Sequence, residues 1–80
     1  MRDKRPLHLI NDNGGWFCKP TMKLSTVKLP VELDGIVYES CLFHTAGATQ
    51  IIERYSTFDD AVFGHVAHAT QYNLPNVISN

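Results

Sequence analysis

Long runs of any one chemistry are missing from this sequence. It has two cysteines in eighty residues, so no disulfide framework is available, and Cys18 and Cys41 read as free, small hydrophobes. Seven lysines and arginines stand against eight acids, for a net charge of −1. The densest cationic stretch is MRDKR at the start. Polymeric DNA and RNA are held through many phosphate contacts, so nucleic-acid binding is not expected. The acids are equally scattered, which argues against a surface that mimics DNA. No apolar run approaches a membrane span, and the apolar centre of MRDKRPLHLIND is too short for the core of a signal peptide. No membrane association is expected.

What the chain does have is 44% hydrophobic and 19% charged residues, the balance of a folded chain rather than a disordered one. The length predicts one small domain over 1–80, with 1–5 and 74–80 as flexible tails. So short a chain buries only about 60% of its unfolded surface. Self-association is the natural remedy, and a homo-oligomer is expected.

The pattern predicts an α+β fold, an antiparallel β-meander of three to five strands with one C-terminal helix packed across one face. PLHLINDNGGWFC reads as two short strands around the Asn13-Gly14-Gly15 turn. In TMKLSTVKLP the apolar parity changes after Thr26, which predicts a bulge at Ser25-Thr26. Asp34-Gly35 marks a turn. GIVYESCLFH then places Ile36, Tyr38, Ser40 and Leu42 on one face and Val37, Glu39, Cys41 and Phe43 on the other. Both faces are largely apolar, as in a central strand. TQIIERYS is a further strand. The helix starts at a Ser56 or Thr57 cap, with Asp59 and Asp60 near its positive end. Its expected stripe is Phe58, Ala61, Val62, His65, Val66, Ala69 and Tyr72. Asn73 and Pro75 end it.

Gly64, His65 and His68 lie inside that helix. A mid-helix glycine costs about 1 kcal/mol relative to alanine, so it predicts a close approach of the helix backbone to the sheet or to a symmetry mate. His65 falls on the apolar stripe, where a neutral imidazole needs partners for both nitrogens. Glu39 is the expected partner, as a structural polar pair. A zinc reading would join Cys41 and His44 to His65 and His68. The helical pair diverges, however, and tight paired knuckles are missing, so no metal is expected. A thiol enzyme using Cys41 with His44 has no supporting glycine elbow, phosphate loop or acid pair. No catalytic residue and no cofactor are assigned. Trp16 and Phe17 are adjacent on a strand, so one of them faces outward as a contact or a cover for a sheet edge.

The order Ser25-Thr26-Val27, Tyr38-Glu39 with Phe43, Arg54-Tyr55-Ser56-Thr57, then Ala61 and Gly64-His65 resembles a group of small uncharacterised proteins of tailed bacteriophages. The similarity covers residues 24–72. Members often carry a longer segment after the STV strand, where LPVELDG is compact here. They also often have acids in the helix at the places of Val62 and Phe63, so the present helix is more apolar and an interface on it comes into play. The group has no activity to transfer. The resemblance implies a phage accessory protein in the host bacterial cytoplasm.

The leading expectation is a non-catalytic inhibitor of a bacterial defence system. It would bind a host protein complex or sequester a small signalling nucleotide, the latter through Trp16, Lys23, Tyr38 and Arg54 at a subunit boundary. The alternative is a structural or assembly module of the phage particle whose helix face docks on another chain. A small metal- or thiol-dependent enzyme is a third reading.

Overall fold

The computed structural model describes residues 5–13, 22–44, 47–74 and 76–77. The strands β1 (His8–Asp12), β2 (Met22–Leu33), β3 (Ile36–His44) and β4 (Thr49–Tyr55) form an antiparallel meander, followed by α1 (Phe58–Gln71) and the two-residue β5 (Asn76–Val77). The sheet order is β4-β3-β2-β1-β5, and α1 crosses one face of it. This is the α+β architecture that the pattern predicts. Asp34 and Gly35 join β2 to β3 with φ of 49° and 83°, the two positive values of a tight hairpin turn.

Strand pairing departs from the sequence reading in the position of the β2 bulge. β1 pairs with Lys23–Val27 of β2, while Trp16 and its neighbours lie outside the described residues. Pairing of β2 with β3 runs unbroken from Met22↔His44 to Lys28↔Tyr38, and its irregularity comes later, between Lys28 and Leu33. No bulge therefore sits at Ser25-Thr26. The parity changes because Thr26, fully buried, takes an inward position that Leu24 would predict to be apolar, while Val27 points to the outer face. A second bulge lies in β4, where Ser40 pairs with Glu53 and Cys41 with Ile51. Ile52 is the additional residue; it packs on the core, while Glu53 reaches α1.

Thr57 caps α1 by accepting a hydrogen bond from the Asp60 amide, with Asp59 and Asp60 in the first turn. At the other end Asn73 adopts φ 56°. Its amide bonds the Thr70 carbonyl and that of Leu74 bonds Ala69, a Schellman closure. The buried helical residues are Ala61, Gly64, His65 and Ala69. The buried stripe is thus rolled towards Gly64, and Val66 is left 57% exposed.

The interior between α1 and the sheet has three parts, and Ile10 is buried on the other side of the sheet. Leu24, Leu42, Ala69 and Leu74 cluster at one end, and Val37, Tyr38, Tyr55 and Ala61 at the other. Thr26, Ser40 and His65 form a buried polar layer between them. Arg5, Leu74 and the Asn76–Val77 strand are each tied to the rest of the fold, where the sequence predicts loose tails. Arg5 lies over the Phe58 ring, its carbonyl accepts from the Tyr38 hydroxyl, Leu74 is buried, and β5 pairs with Asn11 and Asp12.

Candidate functional site

The polar layer is a continuous chain of hydrogen bonds. Thr26 and Ser40 are cross-strand neighbours with their hydroxyls bonded to each other. Ser40 Oγ lies 2.9 Å from Tyr55 Oη, and Thr26 Oγ1 lies 2.7 Å from His65 Nδ1. His65 Nε2 is 2.7 Å from Asn11 Oδ1, and Asn11 Nδ2 donates to the Leu74 carbonyl at 3.1 Å. One proton arrangement satisfies every member. Asn11 spends its NH2 on Leu74, so its oxygen accepts from His65 Nε2–H. The bare Nδ1 then accepts from Thr26, Thr26 from Ser40, and Ser40 from Tyr55. The ring is neutral in this arrangement. Burial, and secondarily the nearby charge of His68, lowers its pKa, while burial raises that of Tyr55. With both nitrogens occupied, His65 has no lone pair left to act as a base.

Gly64 belongs to the same assembly. A Cβ at this position would sit 2.5 Å from the Tyr55 hydroxyl and 2.6 Å from its Cζ. The glycine lets the helix backbone settle on the phenol that terminates the chain of hydroxyls. One turn on, His68 Nε2 meets Glu53 Oε1 at 2.7 Å, and His68 Nδ1 is buried without a protein partner.

The expected pair of Glu39 and His65 does not form. Residues alternate across β3, so Glu39 points to the face opposite α1. There it accepts from Arg54 Nε at 3.0 Å and from Cys41 Sγ at 3.3 Å. Burial, reinforced by Glu39, pushes the Cys41 thiol up to about 11, which is the wrong direction for a nucleophile. The sheet also separates Cys41 from His65 and His68. Among the described residues no three His, Cys, Asp or Glu converge as metal ligands.

The residues proposed to hold a nucleotide are not brought together. Tyr38 is fully buried, set edge-on to Phe58 at 6.2 Å, so its ring cannot stack on a base. Lys23 and Arg54 lie on the outer face in different cross-strand rows, beside Phe43 and Glu39 respectively. Trp16 lies outside the described residues. The polar chain of Asn11, Thr26, Ser40 and Tyr55 was not anticipated from the sequence. Its one sequence signal was a pair of hydroxyl residues at core parity on neighbouring strands.

Exposed apolar side chains mark more than one surface. On α1, Phe63 is 79% exposed, with Val66 one turn away. They flank an apolar groove of about 520 Å3 lined by Leu9, Val62, Ala69 and Leu74 and a polar one of about 430 Å3 containing Arg54, Ser56 and His68. Elsewhere, Phe43 and Ile51 on the far side of the sheet and Val31 and Leu33 on the β2–β3 hairpin are exposed. No protein family, curated protein or solved structure matches this chain. Among the described residues no helix is long and apolar enough to cross a membrane.

Proposed function

We propose that this is a non-catalytic binding protein that presents the outer face of α1 to a protein partner. The observation that carries this reading is Phe63, a large apolar side chain 79% exposed on a helix whose opposite side already covers the sheet. An aromatic projecting between two grooves is the kind of anchor that dominates protein interfaces. The saturated polar chain and the raised Cys41 pKa favour binding over acid–base or thiol chemistry, and no cofactor is invoked. In the phage setting implied by the resemblance, the partner is a host defence protein complex in the bacterial cytoplasm, and the outcome is its inhibition. Sequestering a signalling nucleotide is the weaker form, because Tyr38 is buried and apart from the cations it was to assist.

The assembly reading uses the same helix face and differs in the partner. Affinity purification from expressing bacteria, with mass spectrometry of the bound proteins, tests the proposal. The wild type should enrich a discrete host protein, and Phe63→Glu should lose it with an unchanged melting temperature. Equal recovery by both forms would sink the helix-face reading. Recovery of phage structural proteins, or presence of the protein in purified particles, would favour assembly.

A further inference from the structure

We infer that the protein partner docks as an extended peptide segment, added as a strand along the free edge of β4 with alternate side chains set against α1. The inference rests on the helix-face reading and names the form in which the partner arrives.

β4 is the last strand of the sheet, and among the described residues no strand pairs with its other side. The direction of its backbone groups follows from the register. The His44 amide bonds the Ala48 carbonyl, so β3 meets β4 through its even-numbered residues. Ile51 and Arg54 oppose the odd-numbered Cys41 and Glu39, and their N–H and C=O groups therefore point away from the sheet. Unpaired groups along a strand edge are what an incoming strand satisfies.

A groove runs beside this edge. It is the polar hollow of about 430 Å3, with Glu53–Ser56 along one wall and Asp60, Phe63, Ala67 and Gln71 along the other. These helical residues recur at spacings of three and four, so they share one side of α1. From Asp60 to Gln71 that wall is about 16 Å long, and five extended residues span about 17 Å. Buried Gly64 and Tyr55 close the floor, together with the pair of His68 and Glu53. Every second side chain of an added strand would face α1, where Phe63 stands 79% exposed. Asp60 is exposed and without a charged partner among the described residues, which suits a lysine or arginine at that end of the segment.

Stiffer occupants fit this edge poorly. A second copy pairing β4 with β4 about a twofold axis centred on Glu53 or Arg54 would set like charges directly opposite each other. The bulge at Ile52 also breaks the regular spacing between Ile51 and Arg54, so the straight edge of a preformed sheet does not match it. A segment that orders as it binds can follow the irregularity.

Selection of random linear peptides against the full chain, followed by fluorescence anisotropy with an enriched peptide, tests this. Enriched sequences should alternate apolar and polar residues and carry a basic residue at one end. Methylating single peptide amides should weaken binding about tenfold at alternate residues and little at those between, as loss of one hydrogen bond does. In the protein, Arg54→Pro removes an outward N–H without touching the backbone pairing with β3 and should abolish binding. Arg54→Ala keeps that N–H and should lose less, and Phe63→Glu should lose the peptide. Thermal melting checks that each variant is folded; if Arg54→Pro does not fold, the methylated series decides. A peptide lost by Phe63→Glu yet indifferent to methylation at every amide would overturn strand addition and leave the helix face as the docking site. Binding that survives Phe63→Glu with the alternating pattern intact would uphold strand addition and sink the helix-face reading. Failure to enrich any linear peptide would overturn the inference.

Discussion

Gly64 sets two effects of opposite sign against each other. By helix propensity, alanine there should stabilise α1 by about 1 kcal/mol. Against that, the new methyl would enter the space of the Tyr55 ring, and overpacking of this kind costs about 1–3 kcal/mol. The ring is itself held by the Ser40 hydroxyl, so it cannot retreat freely. Gly64→Ala is therefore expected to lower stability in chemical denaturation, and a gain would contradict the packing described. His65 yields a second prediction. Burial lowers its pKa below the ordinary 6.5, so in acid the unfolded chain takes up the proton first. Its contribution is complete above pH 6.5 and is lost as the pH falls through the folded-state value. Melting temperature should decline between pH 7 and pH 5, with a smaller decline in His65→Ala. At pH 7.5 that variant should be less stable by about 1–3 kcal/mol, because Thr26 and Asn11 lose their shared partner.

At the scale of elements, the end of α1 is the most readily tested. Asn73 holds a left-handed conformation (φ 56°) that glycine adopts at no steric cost. Asn73→Gly should leave stability unchanged or raise it by a few tenths of a kcal/mol, and Asn73→Val should lower it by about 1 kcal/mol. Thermal unfolding of the pair checks the order. This terminus was legible in the sequence for the same reason that it works: an asparagine beside a proline is a local signal. The Asp34-Gly35 turn, the Thr57 cap and the two faces of β3 were legible likewise, since each depends on neighbours in the chain. The polar layer was not. Thr26 looks like a break in strand alternation until His65, thirty-nine positions later, supplies a partner. Glu39 attracted the histidine on paper because it is the acid of the central strand. Side-chain alternation places it on the wrong side of the sheet, and only the position of the helix decides which side that is.

Across the whole molecule, the polar layer divides the interior into two apolar clusters, and this arrangement fixes register. A slip of β2 by one residue would send Thr26 outward and leave His65 and Ser40 buried without it. The exposed surfaces then fall on opposite sides, with Phe63 and Val66 on the helix and Phe43 and Ile51 on the sheet. The Asn11 amide is what joins the two ends of the chain. Its oxygen faces the helix imidazole, its nitrogen holds the Leu74 carbonyl, and its backbone neighbours β5. The hairpins of the meander can form as they are translated, since each is local. The first strand can pair with β2 in the same way, but it is not complete, because its outer neighbour and its amide acceptor lie more than sixty residues downstream. During synthesis, then, the earliest strand should be the last to settle, waiting for the segment that carries Leu74 and Val77 to leave the ribosome.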